Sequence, residues 1–321
     1  MSRSRSVRTA AMRRASFGLV VLVFGLAACS GLSATAKPTH GQSASAVQRG
    51  SLDIDGRQRT YRLFRPTSLS SGARAPLVVV LHGATMTADG VAGVSHFDDQ
   101  ARTAGFIVVY PEGIGESWNA GACCGEARVE GVDDVKFIDR LIERFKTAMP
   151  IDGSRVFVVG LSNGGMMAYR LACELSQSIT AIASVAGTTA VATCHPTRPV
   201  SVLEIHGTRD ELVPYAGGTV DLRPRFPDVF TSAPVTSVIE QWVVLDGCTG
   251  SPILATSGIT KTSTWSNCQN RAMVALGSVE GGTHTYFGSS QIDPSYGSTP
   301  DATQTAWNFF NTVSWDPVTR K

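Results

Sequence analysis

Short, uninterrupted apolar runs recur along the chain, and segments with helical spacing separate them. The runs each end at a glycine or a serine and read PLVVVLHG, GFIVVYPEG, RVFVVGLS, AIASVAG, VSVLEIHG and AMVALGSVEGG. Continuous apolar runs, unlike alternating ones, are typical of strands that are buried on both faces of a parallel sheet. Strands that alternate with helices predict an α/β fold with a mainly parallel central sheet flanked by helices.

Helical and hairpin patterns occupy the segments around these runs. In residues 132–149, apolar side chains share one helical face, and Asp133 and Asp134 lie in the first turn, where the helix dipole favours acidic groups. TSVIEQWVVLDGC and DATQTAWNFFNTV are also compatible with helices. Near the N-terminus, alternating apolar positions on either side of Asp55 and Gly56 predict a β-hairpin.

The first 28 residues have the pattern of a secretory signal. Five arginines precede a 12-residue apolar run, which is short for a transmembrane helix. The sequence LAAC that follows, ending at Cys29, resembles a bacterial lipobox, in which the cysteine is diacylated and becomes the new N-terminus. We therefore expect a lipoprotein signal peptide over residues 1–28, a flexible Ser/Ala/Thr/Gly-rich tether over 29–48 and a folded domain over 49–321, outside the cell and anchored to the membrane by lipid. A plain secretory signal with a chance cysteine is the alternative.

Composition and cysteine content fit an exported globular domain. Of the 321 residues, 43% are hydrophobic and 17% are charged. The formal charge of +2 gives no basic field for a nucleic-acid partner, and without the five N-terminal arginines 23 basic residues face 26 acidic ones. Beyond Cys29, six cysteines predict disulfides. Short loops favour the pairs Cys173–Cys194 and Cys248–Cys268, whereas the adjacent Cys123 and Cys124 either form a vicinal bridge or stay reduced.

The sequence G-L-S-N-G at residues 160–164 lies between a predicted strand and a run that is compatible with a helix. A strand, a sharp turn and a helix form the nucleophile elbow of hydrolases, in which small neighbours leave room for an exposed serine. A structural turn serine is the alternative for the bare motif. Its position in the chain favours Ser162 as a nucleophile.

A serine nucleophile needs a base and an acid, which in this type of fold follow it in the order Asp or Glu, then His. Asp210 lies in a polar loop directly after a buried strand, with Glu211 as its neighbouring competitor. Asp246 falls too late, within a predicted helix. His284 follows the next buried strand, in a glycine-rich loop, and is the predicted base. For His206, at a strand end, a buried structural role is favoured over catalysis.

Stabilisation of an oxyanion requires two hydrogen-bond donors. One is the backbone N–H of the residue after the nucleophile, Asn163, and the other is expected in the loop LHGATMTADG after an earlier strand. We place the second donor at Ala84, with Thr85 as the nearby alternative. No H-E-x-x-H motif or His/Cys cluster is present, so neither a metal nor another cofactor is expected.

Six blocks in order resemble one known family: LHGATMTADG, YPEGIGESWNAGACCG, VDDVKFIDRLI, VFVVGLSNGGMMAYRLAC, HGTRDELVPY and GGTHTY. Together they are similar to the esterase/poly(3-hydroxybutyrate) depolymerase family of α/β-hydrolases, whose relatives include feruloyl and acetylxylan esterases. With the lipobox, the chain looks most like the LpqC-type lipoprotein esterases of actinobacteria. The resemblance runs from about Ser51 to the C-terminus. It implies an α/β-hydrolase fold, hydrolysis of carboxylic esters through an acyl-enzyme, and a catalytic triad of Ser162, Asp210 and His284.

The resemblance leaves the substrate open among polyester, feruloyl and short acyl esters. Many relatives have Trp-Pro-Gly after the histidine, where this chain has Tyr286 and Phe287. We expect Trp118, Asn119 and Tyr286 to contact substrate, although an aromatic residue at position 118 fits simple packing equally well. A peptidase or acyltransferase on the same triad, or a non-enzymatic surface-binding lipoprotein, are the competing interpretations.

Overall fold

A ten-stranded β-sheet forms the centre of the protein, in a computed structural model that describes residues 47–70, 72–289 and 300–313. Six of these strands are parallel and coincide with the six apolar runs: β3 (Ala75–Leu81), β4 (Ile107–Pro111), β5 (Ile151–Leu161), β6 (Ala181–Val185), β7 (Ser201–Gly207) and β12 (Val274–Val279). They lie in the order β4-β3-β5-β6-β7-β12. The predicted α/β fold with a mainly parallel sheet is confirmed.

Antiparallel strands complete the sheet at both edges. The predicted hairpin consists of β1 (Val47–Ile54) and β2 (Arg57–Phe64), and β2 pairs with β4. Because β1 begins at Val47, the last two residues assigned to the tether belong to this strand. At the other edge, β11 (Thr260–Trp265) pairs with β12, and the exposed β10 (Ile253–Ser257) pairs with β11.

Helices cover both faces of the sheet. Their bounds are α1 (Ala88–Ser95), α2 (Phe97–Ala104), α3 (Gly125–Val129), α4 (Asp134–Ala148), α5 (Asn163–Glu174), α6 (Val235–Leu245) and α7 (Ala302–Thr312), with a 3₁₀ helix over Gln269–Arg271. One apolar cluster joins α1, α2 and α7 to Val78 and Val80 of β3. The opposite cluster joins α4, α5 and α6 to Leu77 and Val79. Strand β3 is apolar at consecutive positions because both of its faces are buried in this way.

Helix α4 combines a local cap with long-range packing. The Asp133 side chain accepts a hydrogen bond from the Lys136 N–H at 2.9 Å and so caps the helix. The predicted apolar face, from Val135 to Phe145, is buried against the sheet. Asp134, in the first turn, is fully buried and accepts from Arg59 Nη2 of β2 at 2.6 Å. This ion pair fixes the helix to the edge of the sheet.

Three disulfides are present in the described residues. Cys173–Cys194 and Cys248–Cys268 are the predicted pairs, and Cys123 is bonded to Cys124. A separate two-stranded hairpin, β8 (Gly218–Asp221) and β9 (Val229–Ser232), lies outside the main sheet. No helix in the described ranges has both the length and the apolar character to cross a membrane. The predicted signal peptide, Cys29 and the tether up to residue 46 lie outside those ranges.

Candidate active site

Ser162 lies in the sharp turn between β5 and α5. Its backbone has φ 54° and ψ −117°, a conformation that costs a non-glycine residue about 1–3 kcal/mol. The Ser162 N–H donates to the Val185 carbonyl oxygen at 2.8 Å, which holds the turn against β6. A Cβ atom on Gly164 would lie 2.5 Å from the Leu81 carbonyl oxygen, so only glycine fits there. The segment therefore has the strand–turn–helix geometry of a nucleophile elbow.

His284 and Asp210 meet Ser162 at the carboxyl end of the parallel strands. His284 Nε2 lies 2.9 Å from Ser162 Oγ, and His284 Nδ1 lies 2.8 Å from Asp210 Oδ2. Because a carboxylate only accepts, Nδ1 donates to Asp210, and Nε2 of the neutral imidazole is free to accept the serine O–H. The three side chains expected from chain order form one hydrogen-bonded line.

Asp210 is held as a buried carboxylate. Its Oδ1 accepts hydrogen bonds from the Leu212 and Val213 N–H groups at 2.9 and 2.8 Å, and its side chain is fully buried. Burial raises the pKa of Asp210, but the bonds from His206 and His284 outweigh burial and hold the pKa well below its usual range. Asp210 is therefore held as a carboxylate that accepts from His284 Nδ1.

The two other candidate acids lie away from this line. Glu211 is exposed to solvent. Asp246 directly follows α6, is buried, and accepts a hydrogen bond from the Val200 N–H at 3.0 Å. Among the described residues, Asp210 is the carboxylate bonded to His284.

The structure distinguishes the two candidates for the second oxyanion donor. The Thr85 N–H donates to the Glu116 carbonyl oxygen at 3.0 Å and is therefore already used. The Ala84 N–H has no acceptor among the described residues. Ala84 and Asn163 both line the cleft at Ser162. Backbone N–H groups that face such a cleft without a partner are suited to bind a developing oxyanion.

His82 fixes the loop that carries Ala84, a role that sequence reasoning did not find. Its Nδ1 lies 2.8 Å from the Gly83 carbonyl oxygen, and its Nε2 accepts from the Gly113 N–H at 2.9 Å. Burial lowers the pKa of His82 to about 4, so the ring is neutral and Nδ1 carries the proton. Because the Gly83 carbonyl and the Ala84 N–H belong to the same rigid peptide unit, this bond also sets the direction of the Ala84 N–H.

Trp118 and Asn119 do not line the cleft, so this part of the site prediction is wrong. Trp118 is fully buried, and its indole N–H donates to the His82 carbonyl oxygen at 2.9 Å. The Asn119 side-chain amide donates to the Val132 carbonyl oxygen at 3.0 Å. The Asn163 side chain binds the backbone of the same loop. Its Oδ1 accepts from the Trp118 N–H at 2.7 Å, and its Nδ2 donates to the Trp118 carbonyl oxygen at 3.0 Å. Trp118 and Asn163 therefore stabilise the loops that flank the cleft, although the Trp118 side chain does not line it.

A cleft of about 520 Å³ opens at Ser162. Apolar side chains, among them Met166, Leu222 and Phe226, form much of its lining. Tyr286 also lines the cleft, and its hydroxyl is hydrogen-bonded to Thr303 at 2.7 Å. Its contact with substrate stays a prediction. Within the described ranges, no group of three or more His, Cys, Asp or Glu side chains is placed to hold a metal ion.

The loop between β8 and β9 forms one wall of this cleft. Asp228, at the end of the loop, accepts the Gly125 N–H at 2.7 Å and pairs with Arg128, which anchors the loop to α3. At the rim, Arg225 pairs with Glu116 at 3.0 Å. Sequence reasoning missed this wall because two four-residue strands carry no strong apolar pattern.

Known proteins similar to this chain include several esterases. The model of the family Esterase PHB depolymerase matches residues 59–259, more than half of the chain. Feruloyl esterase B of Piromyces equi is 30% identical over 228 residues, which cover 68% of this chain and 41% of that protein. The putative esterase NocK of Nocardia uniformis subsp. tsuyamanensis is 34% identical over 232 residues, covering 64% of this chain and 66% of that protein. The match therefore spans less than two thirds of either relative.

Solved structures share the fold. An acetyl xylan esterase from Aspergillus awamori has a TM-score of 0.59 at 17% identity, with 83% of this chain and 99% of that chain covered. A thermostable esterase has a TM-score of 0.53 at 14% identity, with 84% of this chain and 63% of that chain covered. These similarities support the α/β-hydrolase fold. On the extent of the family match, the chain belongs to the Esterase PHB depolymerase family.

Proposed function

We propose that the protein is a serine esterase that hydrolyses carboxylic esters through a Ser162–His284–Asp210 triad and an acyl-enzyme. The observation that carries the proposal is the hydrogen-bonded line of these side chains at the mouth of an apolar cleft, beside an Ala84 N–H that has no acceptor in the described part of the chain. Membership of an esterase family supports the same reaction.

The first half of the reaction forms the acyl-enzyme. Ser162 Oγ attacks the ester carbonyl carbon while His284 Nε2 takes the hydroxyl proton, and the carbonyl oxygen becomes an oxyanion held by the Ala84 and Asn163 N–H groups. Asp210 stabilises the imidazolium without taking its proton. Collapse of the tetrahedral intermediate breaks the bond to the alcohol oxygen, which receives the proton from His284.

The second half releases the acid. His284 removes a proton from water, the hydroxide oxygen attacks the acyl carbon, and the second oxyanion occupies the same two donors. Its collapse breaks the bond to Ser162 Oγ, which takes the proton back from His284. The enzyme returns to its starting state, and one ester and one water have become an acid and an alcohol.

The substrate class is an ester with an apolar acyl or alcohol part. The lining of Met166, Leu222 and Phe226 suits such a group, and Tyr286 supplies an aromatic wall near His284. Feruloyl esters, acetylated xylan and short polyhydroxyalkanoate chains are the substrates to test, since similar proteins bear the names feruloyl esterase and acetylxylan esterase.

A panel of substrates tests this proposal. Purified protein without residues 1–46 is given p-nitrophenyl acetate, methyl ferulate, acetylated xylan, poly(3-hydroxybutyrate) and an aminoacyl p-nitroanilide. We expect hydrolysis of at least one ester, no cleavage of the anilide, and no ester turnover by the Ser162→Ala variant. Cleavage of the anilide alone would assign a peptidase instead.

We also propose that the protein is exported and held on the outer face of the membrane by lipid on Cys29. The LAAC sequence supports the anchor, and the disulfides Cys173–Cys194 and Cys248–Cys268 fit an oxidising compartment. Metabolic labelling of the full chain with a clickable palmitate tests the anchor. Label should enter the wild type and not the Cys29→Ala variant, and equal labelling of both would reject the lipid site.

A further inference from the structure

A buried ion pair lies directly behind Asp210. Glu204 and His206 are two residues apart on β7, so their side chains project from the same face of the sheet. The side chains are 1% and 0% exposed, and neither residue lines the cleft. The reaction described above does not use them.

His206 links Glu204 to the turn that holds Asp210. Its Nδ1 lies 2.8 Å from Glu204 Oε1, and its Nε2 lies 2.8 Å from the Val213 carbonyl oxygen and 3.4 Å from Asp210 Oδ2. The N–H of the same Val213 donates to Asp210 Oδ1. His206 therefore contacts both the carboxylate and the residue that orients it.

The hydrogen bonds fix how the protons are distributed. A carbonyl oxygen only accepts, so His206 Nε2 carries a proton toward Val213. The contact of Nδ1 with Glu204 also needs a proton between the two atoms. Burial lowers the pKa of His206, but its bonds to Asp210 and Glu204 outweigh burial and raise the pKa to about 10. His206 thus presents an N–H to Val213 and shares a second proton with Glu204, whose own pKa is raised by burial.

Tyr169 connects this pair to the nucleophile's helix. Its hydroxyl donates to Glu204 Oε2 at 3.0 Å, and the residue is fully buried in α5, the helix that begins after Ser162. A continuous set of contacts therefore runs from α5 through Glu204 and His206 to Asp210. It joins the element that presents the nucleophile to the turn that presents the acid.

Stability alone does not account for such a pair. Replacing a buried ion pair with apolar residues of similar volume is often neutral or stabilising, because desolvation cancels much of the attraction. The neighbouring residues Val202 and Leu203 on the same strand are apolar and buried. A role in the reaction gives the two ionisable side chains a function that stability does not.

We propose that His206 and Glu204 are positioning residues, which hold the Asp210 carboxylate in the orientation that His284 requires. His206 contacts the turn from Asp210 to Val213, and Glu204, which accepts a hydrogen bond from Tyr169, fixes the orientation of the His206 ring. The inference rests on the proposed triad, since it concerns how that triad is held together.

Three variants of the full chain test the pair through steady-state hydrolysis of p-nitrophenyl acetate. His206→Gln and Glu204→Gln should each lower kcat about 10- to 100-fold, as small misplacements of a reacting group do, with KM unchanged because neither residue touches the cleft. The kcat of the double variant should be no lower than that of the less active single variant, since the effects of residues that act as one unit are not additive.

Matched variants separate positioning from stability. Tyr215→Phe is the control, because its ring packs against His206 at 5.9 Å while its hydroxyl bonds only Ser278 among the described residues; its kcat should equal that of the wild type. Tyr169→Phe removes only one hydroxyl group, and it tests the same contacts if the His206→Gln and Glu204→Gln variants fail to fold. It should lower kcat several-fold, with KM unchanged.

The outcomes distinguish this inference from the proposed function. If Ser162→Ala is inactive while folded His206→Gln, Glu204→Gln and Tyr169→Phe keep the wild-type kcat, the positioning role is wrong and the triad stands. A rise in KM with unchanged kcat would also reject it. If Ser162→Ala keeps its activity, the proposed function itself fails.

Discussion

The substitution Asp210→Asn probes the geometry of the site most informatively. Asn has the same shape as Asp, but one of its two side-chain positions becomes an NH₂ group that can only donate. In the wild type, Oδ1 accepts from the Leu212 and Val213 N–H groups, while Oδ2 faces His284 and lies 3.4 Å from His206 Nε2. The asparagine oxygen can therefore take the place of either Oδ1 or Oδ2, but not of both.

The two backbone N–H groups decide this choice. An NH₂ group placed against Leu212 and Val213 would leave both N–H groups without an acceptor, at a cost of about 1–3 kcal/mol each. The NH₂ group therefore faces His284 and His206, whose Nε2–H keeps its bond to the Val213 carbonyl oxygen. The two N–H groups favour this orientation by up to about 6 kcal/mol, a factor of up to roughly 10⁴. In that orientation His284 Nδ1 must accept, so the proton moves to Nε2 and the Ser162 hydroxyl has no base.

Steady-state hydrolysis of p-nitrophenyl acetate, with thermal unfolding as a check on folding, measures the consequence. We expect kcat to fall by up to about 10⁴-fold, the size of effect known for a wrong imidazole tautomer in a serine protease triad. The folded state should be retained, since Asn preserves the bonds to the Leu212 and Val213 N–H groups. A folded Asp210→Asn variant with kcat within tenfold of the wild type would refute the orientation argument.

Three further predictions follow from other parts of the site and core. Gly164→Ala places a Cβ atom 2.5 Å from the Leu81 carbonyl oxygen, so we expect the free energy of unfolding to fall by about 1–3 kcal/mol and kcat to fall with it. A variant with the denaturation midpoint and the kcat of the wild type would contradict this expectation. His82→Phe removes the bond to the Gly83 carbonyl, so kcat should fall about 10- to 100-fold with little change in KM, and a normal kcat in the folded variant would dismiss the loop-fixing role. Burial raises the pKa of Asp246 to about 7, so the stability that its protonated carboxyl contributes is fully present below about pH 4 and is lost as the pH rises through 7. The melting temperature of Asp246→Asn should therefore fall less between pH 4 and pH 7 than that of the wild type. Equal falls in the two proteins would oppose this assignment.

The sequence predicts the centre of the sheet well because burial on both faces leaves a strong local signal. Strands β3 to β7 and β12 are short apolar runs, and each was placed correctly. The outer pair, β10 and β11, was missed, since β10 is exposed along its whole length and β11, which is mostly half-buried, reads TKTSTW and carries no apolar run. Neither did sequence reasoning find the hairpin of β8 and β9.

The site shows the same division between local and long-range information. Ser162, Asp210 and His284 follow strands whose carboxyl ends meet at one edge, so their chain order was enough to predict the contacts between them. Trp118 was misplaced because an aromatic residue in a loop reads the same whether it faces a cleft or a core. The partner of Glu204 on α5 lies 35 residues away, and no spacing rule connects the two.

The central claim is that Ser162 is the nucleophile, and covalent labelling tests it most directly. The protein is inactivated with a fluorophosphonate and digested, and the adduct is located by mass spectrometry while esterase activity is followed in parallel. The account predicts one adduct, on Ser162, that grows in proportion to the loss of activity and is absent from the Ser162→Ala variant. Loss of activity with Ser162 unmodified, or an adduct on another residue that tracks the loss, would contradict it.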